Sequence, residues 1–152
     1  MSVEIVIGHD AWRAADGLEA LITDVIAAAL ARMDDPRPGV AVILLADDAM
    51  VRDLNARFRG KDRPTNVLSF PAPQSEGYPG DVALAYQTCA READEAGKTL
   101  VHHAAHLALH GVLHLNGFDH QEDAAAREME TLETAVLAGF AIPDPYAAQN
   151  TP

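Results

Sequence analysis

Residues 100–120 read LVHHAAHLALHGVLHLNGFDH. As far as Asn116 the stretch is apolar almost all the way round a 3.6-residue period, the pattern of a helix buried on most of its sides. Such a helix sits inside the fold with other elements packed around it. Histidines in that setting are costly unless their ring nitrogens find partners.

Working outward, the chain before this helix mixes strands and helices. VEIVI (3–7) and NVLSF (66–70) read as short strands, and DVALAY (81–86) as another. VAVILL (40–45) is a continuous apolar, β-branched run, the mark of an interior strand. Apolar residues at 18, 21, 22, 25, 26, 29, 30 and 33 recur at helical period. That helix ends at DDPRPG, whose prolines and glycine break it. DDAMVRDLNARF (47–58) opens with aspartates suited to a helix N-terminus. PAPQSEGYPG (71–80) is a loop, and from Thr88 onward the pattern is helical, with Gly97, Gly117 and Gly139 as stops. These elements predict an α+β fold, a small four-stranded mixed sheet packed with helices. The expected organisation is one domain over residues 1–142 and a loose tail over 143–152, with Trp12 as a core anchor.

Composition narrows the function classes. The net charge of −12 argues against nucleic-acid binding by non-specific charge alone. Yet Arg52, Arg57, Arg59, Lys61 and Arg63 crowd into twelve positions opposed only by Asp53 and Asp62. A basic segment on an acidic body can guide a polyanion to one place. Cys89 is the only cysteine, which excludes an internal disulfide and a thiolate-rich metal site. No apolar run approaches the roughly 18 residues of a membrane span. The N-terminus lacks the basic region and apolar run of a secretory signal. The expectation is a cytoplasmic protein with no membrane partner.

His102, His106, His110 and His114 are each four apart, but each step over-rotates by about 40°, so only neighbouring pairs can share an ion. Of these pairs, His110 and His114 are followed by Gly117, which can end the helix and return His120 toward the same face. His110, His114 and His120 thus make a three-ligand set, H-x3-H-x2-G-x2-H, that leaves a tetrahedral ion one open position. That is the arrangement of a single catalytic zinc ion rather than a closed structural one. His106 is expected to pack one turn back or support a ligand, and His9, His102 and His103 to be surface or ordinary core residues. Asp119 either orients a ligand imidazole or caps the helix that follows.

A metalloprotease of the H-E-x-x-H kind carries a glutamate directly after its first histidine. Here that position is Gly111. A phosphodiester substrate needs different help: a metal to polarise a phosphoryl oxygen, and a cation on the developing charge. The basic cluster around Arg59 can offer that cation.

HGVLHLNGFDH (110–120) resembles the H-G-x-L-H-L-x-G-x-D-H motif of the YbeY family of metal-dependent endoribonucleases. LNARFRGKDRPTNVLSFP (54–71), GDVAL (80–84) and REMETLE (127–133) are similar to further family stretches in the same order, from about Val3 to Gly139. The resemblance implies a zinc ion on His110, His114 and His120, and catalytic roles for Arg59 and His114. It implies cleavage of single-stranded RNA in 16S rRNA 3′-end maturation and ribosome quality control. The implied partners are the small ribosomal subunit, ribosomal proteins and the GTPase Era. Asn66 stands where many relatives have aspartate, so no carboxylate there serves as general base. Phe58 likewise replaces a common tyrosine. Thr65 and Ser69 either contact phosphate or satisfy backbone groups, and Asp81 either orients the site or closes a turn. Met129 and the acids near it read as an amphipathic helix with its apolar side inward. Two alternatives remain beside the nuclease: a metal-stabilised ribosome-assembly binding factor, and a metal-dependent peptidase-like hydrolase.

Overall fold

The computed structural model describes residues 1–61, 65–119 and 121–147. Four strands, β1 (Ser2–Ile7), β2 (Val40–Ala46), β3 (Val67–Pro71) and β4 (Gly80–Ala85), form one sheet in the order β1-β2-β4-β3. β1 pairs β2 in parallel, β2 pairs β4 in parallel, and β3 pairs β4 antiparallel. The sheet is therefore mixed, with the apolar β2 inside as the sequence pattern predicts; β3 lies on an edge.

Among the described residues five α-helices complete the α+β fold: α1 (Leu18–Leu30), α2 (Asp48–Arg59), α3 (Tyr86–Glu95), α4 (Leu100–Leu115) and α5 (Asp123–Ala138). Strand alternation divides the apolar residues between the two faces of the sheet. Ile43, Leu45, Val82 and Leu84 enter the main core with α1, α4 and α5. Leu68, Ala83 and Ala85 face the other way, into a smaller cluster closed by Val51 of α2. The amphipathic pattern of α1 and the near-continuous apolar surface of α4 thus have a common cause. The first helix covers one side of the core, and the second runs through it. Trp12 is 2% exposed and donates its indole N–H to the Ala46 carbonyl at 2.8 Å, anchoring a short 3-10 turn (Asp10–Ala14) to the end of β2.

The caps place the helices. The Asp47 carboxylate accepts from the Met50 backbone N–H at 2.8 Å, satisfying a donor at the start of α2. Asp48 accepts instead from the Thr88 backbone and hydroxyl, tying α2 to α3. Thr99 caps α4 by accepting from His102 N–H at 3.1 Å. The helical pattern from Thr88, with stops at Gly97, Gly117 and Gly139, is three helices in the structure, and the first begins two residues earlier at Tyr86.

α4 ends as Gly117 predicts. With φ at 92° the glycine adopts a conformation that side chains disfavour, its N–H bonds to His114 O, and Phe118 N–H bonds to Leu113 O. Within residues 143–152, read as a tail, Tyr146 O–H donates to Glu133 and Asp144 accepts from Thr134 and from Tyr146 N–H. Residues 148–152 lie outside the described part. Among the described residues no helix is long and apolar enough to cross a membrane.

Candidate active site

His110 and His114 lie on one face of α4, and their Nε2 atoms are 3.1 Å apart. Their protons can be assigned from the partners of the other nitrogens. His110 Nδ1 lies 2.9 Å from Glu133 Oε1, and His114 Nδ1 lies 2.9 Å from the Phe118 carbonyl. A carboxylate and a carbonyl only accept, so both Nδ1 atoms donate, which leaves the two Nε2 atoms facing each other. That contact is satisfied by a shared cation, either a proton in a hydrogen bond or a metal ion. Two nitrogens on one tetrahedral zinc stand about 3.3 Å apart, from bond lengths of about 2.05 Å. The pair fits a metal ion on this ground. The helix-ending turn at Gly117 brings the Phe118 carbonyl to His114, so local backbone geometry sets that tautomer.

The third expected ligand, His120, lies outside the described residues. A different triad, His106, His110 and Glu133, has ligand atoms within 4.8 Å of one another and could also hold a metal ion. Glu133 is 0% exposed and accepts from His106 Nε2, His110 Nδ1 and, at 2.7 Å, the Tyr146 hydroxyl. Burial would push its carboxyl up, but the hydrogen bonds from His106 and His110 outweigh that and hold it down at about 2. Metal ligation by Glu133 would require it to give up some of these donors. The observed hydrogen bonds make it the group that orients His110.

Glu133 corrects the reading of the last helix. Its acids do not all lie on the solvent side. Met129 is buried as expected, and Glu133, four residues on and on the same face, is buried with it. That i, i+4 spacing within the apolar stripe was the available signal. His106, expected to support a ligand or pack one turn back, shares the Glu133 carboxylate with His110.

The two imidazoles open onto a cleft of about 550 Å³. Arg59, Thr65, Asn66 and Ser69 also line it, so the structure brings Arg59 and His114 to one cavity. Arg59 donates to the Ser69 carbonyl, and its guanidinium lies 5.6 Å from the Phe70 ring centroid. Asn66 donates its amide N–H to Glu92 Oε1 at 2.9 Å, and the same oxygen meets His103 Nε2 at 3.0 Å. Burial pulls the His103 imidazole below the usual histidine range, against the opposing effect of Glu92. His103, partly buried, thus reaches the wall of the cleft through Glu92 and Asn66.

Several ambiguous side chains take structural roles. The Ser69 hydroxyl donates to the Gly111 carbonyl at 3.1 Å, satisfying the backbone. Asp81 accepts from the Tyr78 hydroxyl at 3.1 Å, which closes the turn before β4. Asp119, which also lines the cleft, accepts from Gln121 N–H at 3.1 Å. Gly111 faces the sheet: a Cβ there would stand 2.6 Å from Val82 Cγ1 and 3.1 Å from Ser69 Oγ. The position that carries the peptidase glutamate therefore has no room for a side chain and does not face the cleft.

Comparison with known proteins identifies the family. The family described as Endoribonuclease YbeY matches residues 8–141. A relative named Endoribonuclease YbeY from Rhodopseudomonas palustris (strain BisB5) is 49% identical over 162 residues, covering 98% of this chain and 83% of the relative. One of the same name from Chelativorans sp. (strain BNC1) is 49% identical over 152 residues, covering 96% and 93%. A Thermotoga maritima protein solved in solution shares the fold, with a TM-score of 0.57 at 23% identity over 91% of each chain. With a match across nearly its whole length, the chain belongs to the YbeY family of endoribonucleases.

Proposed function

We propose that this protein is a zinc-dependent endoribonuclease that cleaves single-stranded RNA in 16S rRNA 3′-end maturation and ribosome quality control. Family membership supports the RNA hydrolase activity. The observation that carries the metal dependence is the His110–His114 pair, with both Nε2 atoms 3.1 Å apart on the cleft that Arg59 lines. His110, His114 and His120 hold the ion in this reading. When bound, zinc supplies Lewis acidity toward a phosphoryl oxygen and lowers the pKa of water. The protein does the rest. Arg59 binds and neutralises the scissile phosphate. Glu133 and the Phe118 carbonyl keep the protons of His110 and His114 on Nδ1. The nucleophile is water or the RNA 2′-hydroxyl, and the products distinguish them: a 2′,3′-cyclic phosphate would exclude water in the primary cleavage.

The partners that go with this reading are the small ribosomal subunit, ribosomal proteins and the GTPase Era, in the cytoplasm. The binding-factor alternative draws on the lack of an evident general base among the described residues, since Asn66 is an amide bound to Glu92. The peptidase alternative is disfavoured by the packing of Gly111.

The test is cleavage of a small-subunit rRNA 3′ precursor by purified protein of measured zinc content, beside folded His114→Ala and Arg59→Ala variants. Specific cleavage lost in both variants supports the nuclease. Equal cleavage by all three points to a contaminant and favours the binding factor.

A further inference from the structure

Both faces of the sheet are apolar, but α2 covers only part of the second one. Val6, Val42 and Leu44 of β1 and β2 remain beside Leu54, Phe58 and Phe70, lining an open groove of about 420 Å³. Phe58 stands in the last turn of α2 and is 68% exposed. A large ring held in water beside an apolar strip marks a surface that something covers.

The groove and the cleft meet at Arg59. Phe58 and Phe70 touch edge to face, with centroids 5.8 Å apart and planes at 70°. The Arg59 guanidinium lies over the same Phe70 ring and donates to Ser69 O, and Ser69 lines the cleft on the other face of the sheet. Since β3 is an edge strand, the arginine reaches across that edge from groove to cleft. Basic residues cluster in sequence around Phe58, with Arg57, Arg59 and Lys61 within three positions of it, although the chain carries −12 overall. Arg57 shares its charge with Asp53 at 3.1 Å. Asp81, at the groove's lining, keeps its carboxylate on the Tyr78 hydroxyl.

We infer that this groove is a base-stacking subsite for single-stranded RNA, with an unpaired base on Phe58 and the strand crossing the β3 edge at Arg59 into the cleft. The inference rests on the endoribonuclease reading and deepens it. Aromatic faces stack any base, and cations alongside hold the backbone, so such a subsite takes single strands with little sequence preference. A duplex could not place a paired base there. An apolar protein segment would account for the strip but not for the cations around the exposed ring.

The test uses the full chain and a single-stranded RNA oligonucleotide carrying 2-aminopurine, mixed rapidly and read before turnover, with cleavage followed in parallel. Wild type is expected to quench the probe. Phe58→Ala should lose the quenching and bind about 5- to 150-fold more weakly, with Phe58→Trp restoring both. Circular dichroism checks that each variant is folded. Wild-type quenching and affinity in Phe58→Ala overturn the inference and assign the groove to a protein partner. Phe58-dependent quenching without any cleavage leaves the subsite standing and removes the nuclease reading. Cleavage with Phe58-independent binding does the reverse. An oligonucleotide that does not bind at all overturns both.

Discussion

Glu133 Oε1 and His110 Nδ1 meet at 2.9 Å across two helices, although 23 positions separate them in the chain. This contact, with those from His106 and Tyr146, places three donors on one fully buried carboxylate. Glu133→Gln leaves those donors facing a single acceptor oxygen and adds an N–H of its own. Unfolding free energy in urea is expected to fall by about 3–5 kcal/mol, the cost of removing one side of a buried polar set. Zinc affinity, measured by chelator competition, should fall about 10- to 100-fold as His110 loses its orienting partner. Wild-type values for both would remove Glu133 from this role.

Gly111 lies where α4 crosses the sheet, and an added Cβ would meet Val82 Cγ1 at 2.6 Å. Gly111→Ala should therefore lower stability by about 1–3 kcal/mol through overpacking. Gly111→Glu should give a poorly folded protein rather than a peptidase. A stable Gly111→Ala protein with an unchanged denaturation midpoint would contradict the close packing.

Arg59 offers a planar fork that contacts Ser69 O and the Phe70 ring. Lysine keeps the charge and loses the fork. Arg59→Lys should slow RNA cleavage about 10- to 100-fold, less than the roughly 100- to 1,000-fold expected of Arg59→Ala. Because the side chain lies at the surface, stability should stay within about 0.5 kcal/mol of wild type. Equal rates for arginine and lysine would mean that charge alone is used.

Cys89 is buried, and desolvation, with the nearby charges of Glu92 and Asp48, pushes its thiol up to about 12. A raised pKa keeps the neutral thiol, so very little thiolate is present at pH 8. The native protein should resist alkylation at pH 8 and take up one equivalent of reagent in denaturant. Rapid labelling of the native state, followed by mass spectrometry, would show that Cys89 opens to solvent.

Much of the architecture was legible because periodicity is a local property of the backbone. The continuous apolar run of β2 marked an inner strand, and the all-round apolar surface of α4 marked a central helix. The i, i+4 spacing put His110 and His114 on one face, and Gly117 announced the turn that brings Phe118 O to His114. The role of Glu133 was less legible. An acid in an amphipathic helix reads as solvated until it is known what that helix packs against. Asp81 and Ser69 carried two readings each, and only their neighbours in space separated them.

The residue types and spacings by themselves determined the mixed strand-and-helix order, the buried histidine helix and the absence of a peptidase glutamate at Gly111. Tertiary packing decided the rest. It brought Arg59 over the β3 edge into the cleft of His110 and His114, and turned Glu133 inward against three donors. It also left Phe58 uncovered beside the second face of the sheet. The physical reason is range. Hydrogen-bond periodicity and turn chemistry act over a few residues, whereas the partner of a buried charge is chosen by whichever element the core places against it.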